Sequence, residues 1–414
     1  VKPGDDFFAY ANGAWYERFT VPADKGSYGM FNVLDDEARA NVRNIIESAA
    51  AAKPAAGSVE QKIGDYFASF MDTAAIEANG VRLTKGDVDG TAGVHSSAAL
   101  SGLLGDPGFQ SPVAAYIGLD DKNPDAYFVN LIQSGLGMPD RDYYLADDPE
   151  LKKTRDAYLA HVGRMLTLIG GADASAQAAR VLSLETAIAR AHWPAARTRD
   201  AIANYNPKSR AEISAFAPGL AWQAMFDAME VGQWDLFNAN TPTALAGIAA
   251  LVRSRPLDDW KAYLTYHHAH LHAAYLPKAV DDENFAFYGK VLSGSERQRE
   301  RWERGVDLVN DGLGEAIGRV YVERHFPPES KAKIDALVAR LIAAYKANIE
   351  KLEWMGPETR ARALEKLATF RLKIGYPDKW KDYSSLTIVP DRLLDNVRAA
   401  SLWQWRYDVA KLGK

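Results

Sequence analysis

Hydrophobic residues recur at helical spacing along most of the chain. The clearest case lies in residues 330–355, where apolar side chains follow one another three or four positions apart: Ile334, Leu337, Val338, Leu341, Ile342, Tyr345, Ile349 and Leu352. This spacing predicts a helix with one apolar face. Gly356 is expected to end it and Pro357 to start the next helix. A last helix is expected from about Pro390 onward, so the pattern predicts a mainly α protein.

A smaller part of the chain has the pattern of strands and loops. Residues 370–376, "FRLKIGY", alternate between apolar and polar positions and predict a strand. Residues 121–134 predict one or two further strands. Residues 24–36 are expected to be extended and to lead into a helix that begins near Asp36. The glycine-rich residues 75–112 are expected to contain the most loops, so the fold class is mainly α with minor β.

The chain opens with a dense aromatic stretch, "DDFFAYANGAW" at residues 5–15. Asp5 and Asp6 are expected to cap a short helix through their side-chain oxygens. Asn12 and Gly13 are expected to end it, since both tolerate positive φ. A helix this short is not stable alone in water. The aromatic side chains are therefore expected to anchor this segment on a larger body.

The composition is that of a folded globular protein with more than one compact unit. The chain has 414 residues, of which 47% are hydrophobic and 25% charged, and its formal net charge is −5. This length favours two or three lobes. The small net charge and scattered basic residues argue against binding to nucleic acid. Cysteine is absent, which excludes disulfides and Cys-ligated zinc, and no apolar run is long enough for a membrane span.

The densest group of metal-capable side chains is "YHHAHLHAAY", which contains His267, His268, His270 and His272. His268 and His272 are four residues apart and share a helix face, which is the zinc-binding arrangement of H-E-x-x-H peptidases. The glutamate that such a motif needs is replaced here by Ala269. The three acidic residues 281–283 could add carboxylates, but nothing in the sequence brings them close. Packing of these histidines within a helix is therefore the favoured interpretation.

Other catalytic signatures are missing from the sequence. It contains no G-x-S-x-G nucleophile elbow, no phosphate-binding G-x-x-x-x-G-K-[ST] loop and no cysteine nucleophile. The glycines of residues 312–318, "GLGEAIG", have the wrong spacing for a dinucleotide turn and are expected to permit close helix packing. Taken alone, the residues show no complete catalytic site.

Six phrases, in order along nearly the whole chain, resemble the neprilysin family of zinc metallopeptidases, which includes bacterial oligopeptidases and endothelin-converting enzymes. They are "PGDDFFAYANGAWYERFTVPADKGSYGMFNVLDDE" (3–37), "GLGMPDRDYYL" (135–145), "YNP" (205–207), "DDENFAFYGKVLSG" (281–294), "WERGVDLVNDGLGEAIGRVYVERHFPP" (302–328) and "KIGYPDKWKDYSSL" (373–386). The resemblance implies a two-lobe peptidase in which a helical lid covers a catalytic lobe. Residues 1–50 would pack on the catalytic lobe, residues 51–345 would form the helical lid, and residues 346–414 would return toward the catalytic lobe.

The resemblance also implies a zinc cofactor whose ligands are absent from this sequence. In the family, H-E-x-x-H, a further Glu ligand and a catalytic His follow the region that resembles the end of this chain, and none of them occurs here. The chain is thus expected to be the N-terminal portion of a zinc metalloendopeptidase that acts on oligopeptides. A complementary C-terminal zinc-bearing polypeptide would be its partner, and the chain alone would be inactive. The family favours a periplasmic or secreted location, which the residues themselves do not specify.

The resemblance places three candidate substrate-binding positions near the start of the chain. Two family arginines that recognise substrate align with Ser27 and Asp35, and a phenylalanine that lines a pocket aligns with Phe31. Loss of both arginines removes bidentate recognition of a carboxylate, so a preference for C-terminal dipeptides is not expected. For Phe31, pocket lining and ordinary core packing both remain open.

Two other functions remain open. The first is a non-catalytic helical module that binds peptides or regulates a partner. In a lone chain Phe7, Phe8, Trp15, Trp403 and Trp405 would then be exposed, whereas a partner would bury them. The second is a separate metalloenzyme that uses His268, His270 and His272.

Overall fold

The computed structural model describes residues 1–52, 54–81, 91 and 93–414. The helices of this part of the chain are α1 (Phe7–Tyr16), α2 (Met30–Ala51), α3 (Val59–Met71), α4 (Thr73–Asn79), α5 (Ser97–Gly105), α6 (Asp142–Leu145), α7 (Pro149–Leu168), α8 (Ala174–Ala191), α9 (Arg210–Phe216), α10 (Trp222–Ala228), α11 (Pro242–Ser254), α12 (Leu257–His272), α13 (Lys278–Phe285), α14 (Arg301–His325), α15 (Pro328–Lys351), α16 (Pro357–Ala368) and α17 (Leu393–Val409). Short 3₁₀ turns occur at Arg197–Arg199 and Ala273–Tyr275, and a π-helical segment at Ala286–Leu292. The predicted fold class, mainly α with minor β, is confirmed.

The strands form one small mixed sheet. They are β1 (Val113–Asp120), β2 (Asn123–Gln133), β3 (Pro207–Ser209) and β4 (Leu236–Ala239), in the spatial order β1-β2-β4-β3. β1 and β2 form an antiparallel hairpin in which Val113 faces Gln133, and β2 runs parallel to β4. The prediction of strand structure in residues 121–134 is thus confirmed by β2. The glycine-rich residues 75–112 contain α5 and most of α4, while residues 82–90 and 92 lie outside the described part of the chain.

The N-terminal helix begins where the sequence predicted but ends later. The Asp6 side chain accepts a hydrogen bond of 2.9 Å from the backbone N–H of Ala9, which caps the first turn. The helix continues through Asn12 and Gly13 to Tyr16. The predicted end at Asn12-Gly13 is wrong, because these residues keep helical geometry and the Asn12 side chain donates to the carbonyl of Phe8 (3.3 Å).

The second predicted boundary also differs. The helix expected near Asp36 begins six residues earlier, at Met30, after an extended Gly29. The Asn32 side chain accepts a 2.9 Å hydrogen bond from the Gly29 N–H at this end. Phe31 lies on the same helix face as the buried Val42, Ile45 and Ile46 but is itself 88% exposed.

Buried side chains form three hydrophobic cores. The sheet core joins β2 and β4 to helices α5, α8 and α10–α12. The junction core joins α2, α3 and α14 to residues 383–400. The helical core joins α7, α8 and α12 to the π-helical segment.

Helix α17 connects two of these cores. Leu393 and Ala400, in its first half, are buried in the junction core. Trp405 and Val409, in its second half, pack against the sheet core, where the Trp405 Nε1–H donates to the Met229 carbonyl (2.6 Å). An ion pair of 2.6 Å between Arg406 and Glu230 adds to this attachment.

Residues 327–374, which contain α15 and α16, form a helical hairpin that we call the arm. The helix predicted from the apolar stripe of residues 330–355 is confirmed as α15, but it ends at Lys351 and not at Gly356, which instead precedes α16; Pro357 starts α16 as expected. No residue of the arm is buried among the described residues. Leu337 on the apolar stripe is 65% exposed and Trp354 between the two helices is 77% exposed. The stripe therefore faces away from the rest of the described chain.

The predicted strand at residues 370–376 is wrong. This segment has no strand structure, and Phe370 and Leu372 are exposed. A strand requires a hydrogen-bonding neighbour, and no strand of the described residues pairs with this segment. In addition, Gly375 has φ of +76°, which breaks an extended run.

The glycines of residues 312–318 include one that permits close packing. A Cβ on Gly312 would lie 2.9 Å from the Tyr66 ring and 3.2 Å from the Ala400 side chain. The helix-packing interpretation is thus confirmed at this position. In the described residues, no helix combines the length and the apolar character needed to cross a lipid bilayer.

Candidate functional site

The three predicted substrate-binding positions lie at the start of α2 and in the segment before it. Phe31 is 88% exposed, and Asp35 is one helical turn further along the same face. Ser27 is exposed in the preceding loop. The exposure of Phe31 rules out core packing within the described residues. A substrate-binding role for the three residues stays a prediction.

Apolar and aromatic side chains surround this position. Met30 and Leu34 are exposed beside Phe31. In the preceding segment Trp15, Phe19 and Tyr28 form a stacked row, with ring centroids 4.6 and 4.9 Å apart. The start of α2 thus presents exposed apolar side chains, and the segment before it contains an aromatic stack.

Asp36 organises the loop that carries Ser27. Its carboxylate forms an ion pair with Lys25 and accepts a 2.9 Å hydrogen bond from the Tyr28 hydroxyl. The hydrogen bond from Lys25 is the main reason why the pKa of Asp36 lies below its ordinary value. The hydrogen bond to Asp36 raises the pKa of Tyr28. The loop is thus held by a charged contact rather than by burial.

Asp35 is not left as a free carboxylate. Arg39, one turn further along α2, donates to it through Nε at 2.7 Å and also forms an ion pair with Asp307 of α14. Arg299 pairs with Asp307 at 2.7 Å. The position that would hold a substrate-binding arginine therefore carries a carboxylate whose charge is balanced within the protein.

The aromatic residues expected to anchor the chain differ in their exposure. Phe7, Phe8 and Trp15 are exposed. Trp403 and Trp405 are half-buried, because Trp403 stacks on Tyr383 in the junction core and Trp405 packs on the sheet core. The expectation that all five are exposed in a lone chain is therefore wrong for these two tryptophans.

The histidines of α12 point to different partners. His267 Nε2 lies 2.6 Å from Glu185, His268 Nδ1 lies 3.2 Å from the Gly108 carbonyl, and His270 Nδ1 lies 2.8 Å from Asn284 Oδ1. His272 Nδ1 lies 2.8 Å from the carbonyl of His268. The favoured interpretation of packing within a helix is confirmed by these contacts.

The acidic residues 281–283 do not join those histidines. Asp281 binds Arg304 (2.8 Å), Asp282 binds Lys278, and Glu283 binds His161 and Arg164, both at 2.9 Å. In the part of the chain that the structure describes, no group of three or more His, Cys, Asp or Glu side chains is arranged to hold a metal ion. The described residues therefore do not fit a zinc ion, and the proposal of a separate metal site at His268, His270 and His272 is not supported.

Sequence reasoning missed a buried polar cluster in the helical core. The carboxylate of Glu185 is fully buried and accepts hydrogen bonds from the hydroxyls of Tyr144 (2.7 Å) and Tyr158 (2.9 Å), besides its contact with His267. Burial raises the pKa of both tyrosines, so they remain protonated donors. The available signal was a lone glutamate in the apolar stretch "VLSLETAIA", opposite the histidines of α12. This cluster ties α6, α7, α8 and α12 together.

Residues 3–377 match the family described as Peptidase family M13, and the chain belongs to this family. Human endothelin-converting enzyme 1 is 25% identical over 441 residues, and neprilysin-3 of Drosophila melanogaster is 26% identical over 447 residues. Each alignment covers 100% of this chain and 56% of the relative. The chain thus spans little more than half the length of these relatives. The resemblance to the neprilysin family of zinc metallopeptidases is confirmed.

Solved structures of one bacterial peptidase match the whole chain. The zinc metalloprotease Zmp1 of Mycobacterium tuberculosis in complex with an inhibitor superposes with a TM-score of 0.95 at 36% identity, over 100% of this chain and 64% of that chain. The same protein in an open state superposes with a TM-score of 0.84 over 100% of this chain and 65% of that chain. The fold is therefore that of an M13 peptidase, in an arrangement more similar to the inhibitor complex.

Proposed function

We propose that the chain is the N-terminal portion of a zinc metalloendopeptidase that hydrolyses peptide bonds in oligopeptides. In this proposal the zinc ligands come from a complementary C-terminal segment outside these 414 residues. The described residues bind and position the peptide, shield it from bulk water and dock the zinc-bearing segment. Membership of family M13 supports the class of reaction.

The observation that carries the proposal is the amount of exposed apolar surface at two places. Phe7, Phe8 and Phe31 are exposed in the N-terminal segment, and Leu337 and Trp354 are exposed on the arm. Soluble proteins rarely leave apolar patches of this kind open unless they bind something. A segment equivalent to the part of the relatives that this chain does not match would cover both apolar surfaces.

Mass spectrometry of the protein purified from its source tests this proposal. The material that cleaves an internally quenched oligopeptide is expected to contain zinc together with sequence beyond these 414 residues. Comparison of denaturing with native conditions distinguishes a second polypeptide from a longer single chain. The isolated 45.5 kDa chain is expected to bind no stoichiometric zinc and to cleave nothing.

Two outcomes would contradict the proposal. Cleavage by a zinc-containing 45.5 kDa chain alone would place the metal site within it. If the protein purified from its source consists only of a zinc-free 45.5 kDa species that binds oligopeptides without cleaving them, the non-catalytic module is favoured instead.

We also propose that the peptidase does not require a free carboxylate at the end of its substrate. Phe31 contacts an apolar side chain of the peptide, while Ser27 and Asp35 offer no cation for a terminal carboxylate. Arg39 is engaged by Asp35 and Asp307, and a guanidinium in such pairs is not free to bind a substrate carboxylate.

Cleavage of matched peptides with free and amidated C termini tests whether the peptidase requires a free terminal carboxylate. We expect the two to be cleaved with similar kcat/KM by the wild-type protein. Asp35→Arg is expected to favour the free carboxylate, whereas Glu37→Arg, exposed nearby on α2, changes the net charge equally and should not. A strong wild-type preference for the free carboxylate would refute this assignment.

A further inference from the structure

The two edges of the small sheet differ in character. β3, at one edge, is three residues long and consists of Pro207, Lys208 and Ser209. Proline and lysine in an edge strand hinder its pairing with another chain. β1, at the opposite edge, is eight residues long and contains no proline and no charged residue before Asp120. The sequence thus protects one edge of the sheet and not the other.

The hydrogen-bonding pattern identifies which backbone groups of β1 face outward. Ser134, directly after β2, donates its N–H to the Pro112 carbonyl (2.9 Å), so the carbonyl of Pro112 points toward β2. In an antiparallel pair, alternate residues direct their N–H and C=O groups toward and away from the partner strand. The N–H and C=O groups of Ala115, Ile117 and Leu119 therefore point away from β2. No strand of the described residues pairs with this side of β1.

The outer edge of β1 is accessible. The side chains of Tyr116 and Leu119 are exposed, and among the described elements β1 packs extensively only against β2. The unpaired backbone groups of such an edge can bind an extended peptide, which adds to the sheet as a further strand. From Val113 to Leu119 the edge is about 20 Å long. This length matches an extended oligopeptide of about seven residues.

An apolar cavity adjoins the first half of this edge. It has a volume of about 250 Å³, and its apolar lining includes Phe109, Val113, Ala115, Met229 and Trp405. Pockets for whole small molecules usually have about 300–1,000 Å³, so this cavity suits a single side chain. Ala115 packs against the sheet core. A peptide residue paired with Ala115 directs its side chain to the same face of the sheet, which is the face of the cavity.

A second copy of the chain is a less favourable occupant of this edge. β1 contributes eight residues, whereas stable interfaces between folded proteins involve about 20–30 residues on each side. Pairing of β1 with its own copy is therefore too small to hold a dimer. An oligopeptide needs only the backbone groups of the edge and the cavity beside it.

We propose that the outer edge of β1 binds an extended oligopeptide as an additional strand, with one apolar side chain of the peptide in the cavity beside Trp405. We call this place the edge site. Main-chain hydrogen bonds supply the affinity, and the cavity selects a large apolar residue at one position. The inference rests on the proposed function only for the identity of the bound peptide as a substrate, because binding at this edge requires neither zinc nor cleavage.

Fluorescence polarisation with the full 414-residue chain and a metal chelator tests the edge site. The probe is a fluorescein-labelled octapeptide in which leucine alternates with threonine. Every second amide of an added strand faces β1, so N-methylation of alternate residues blocks either these amides or only those that face away. We expect one of the two N-methylated peptides to bind more than about tenfold more weakly than the parent peptide and the other to bind within about twofold, because only the first loses several main-chain hydrogen bonds.

Disulfide trapping locates the bound peptide. The sequence contains no cysteine, so Leu119→Cys introduces a single thiol beside the edge. Leu236→Cys, on the interior strand β4, is the matched control, because both leucines are 52% exposed. The octapeptide carries a cysteine activated as its thiopyridyl disulfide. We expect it to react at least about tenfold faster with Leu119→Cys, since binding raises its local concentration there.

The proposal fails if the parent octapeptide does not bind, if the two N-methylation patterns weaken binding equally, or if both thiols are trapped at the same rate. Dimerisation through this edge without binding of the peptide would assign the edge to a second copy and also overturn the proposal. Circular dichroism verifies that both variants are folded. These measurements depend on neither zinc content nor cleavage, so failure of the edge site and failure of the peptidase assignment are observed separately.

Discussion

Glu185 shows how a single buried hydrogen-bond acceptor can define the packing of four helices. Its carboxylate accepts hydrogen bonds from Tyr144 and Tyr158 and contacts His267, and it is fully buried. Removal of the acceptor leaves these donors without partners in a medium of low dielectric constant.

We therefore expect Glu185→Ala to lower the free energy of unfolding by about 3–5 kcal/mol, because each buried donor left without a partner costs about 1–3 kcal/mol. Urea denaturation followed by circular dichroism measures this loss. Glu47→Ala removes a glutamate from the exposed pair with Arg43 and should cost less than about 1 kcal/mol. Equal effects of the two substitutions would show that the buried cluster has no special role.

The pH dependence of stability is the second prediction at this scale. Burial lowers the pKa of His270 to about 4, despite its contact with Asn284. The unfolded chain therefore binds this proton at higher pH than the folded chain does. The stability that the neutral imidazole maintains is fully present above about pH 6.5 and is lost as the pH falls toward 4.

Unfolding free energies at pH 7 and pH 5 measure the effect. We expect His270→Gln to reduce the loss on acidification by about 2 kcal/mol, because the amide cannot take up the proton. An unchanged difference between the two pH values would mean that other groups cause the acid sensitivity.

Helix packing in α14 gives a prediction at the scale of the element. The Cβ of Gly312→Ala would meet Tyr66 and Ala400, whereas the Cβ of Gly314→Ala, on the other side of a kink at Leu313 (φ −133°), would meet no atom within 4 Å. The first substitution should lower stability by about 1–3 kcal/mol through overpacking. The second should raise it by about 0.5–1 kcal/mol, because alanine favours helices more than glycine does. Thermal denaturation of both variants measures whether their stabilities change in opposite directions from that of the wild type. A change in the same direction would contradict this account.

Periodicity predicted the mainly α fold class and individual helices such as α15, because the spacing of apolar residues is a local property of the chain. It predicted the helix that carries Leu337 and Leu341. It did not predict that the apolar face of this helix is exposed, because an apolar stripe does not show which surface it packs against. The same limit explains the false strand at 370–376. For the candidate site, the positions of Ser27, Phe31 and Asp35 came from the family resemblance. The ion pairs of Arg39 with Asp35 and Asp307 could be found only from the structure, because Asp307 lies in a helix that is distant in sequence.

At the scale of the whole molecule, the exposed stripe of the arm determines how the isolated 414-residue polypeptide should behave. Leu341 is half-exposed on this stripe. We expect Leu341→Glu to reduce both the binding of a hydrophobic dye and self-association in analytical ultracentrifugation. Its stability should stay within about 0.5 kcal/mol of the wild type, because no core contact is lost.

Ala343→Glu is the control for this prediction, since it places the same charge on an exposed position about 200° around the helix from Leu341. If both substitutions reduce dye binding equally, net charge rather than the apolar stripe is responsible.

Helix α17 has a consequence for the order in which the molecule forms during synthesis. The sheet core contains buried residues from Val94 to Leu412, and Trp405 and Val409 also pack against it. When about the first three hundred residues have left the ribosome, the C-terminal residues of this core have therefore not yet been synthesised. Contacts of such long sequence separation form slowly, and a large chain in this state exposes apolar surface. The residues of this core that are synthesised first therefore remain incompletely packed until α17 is translated, which makes the nascent chain a natural client of chaperones.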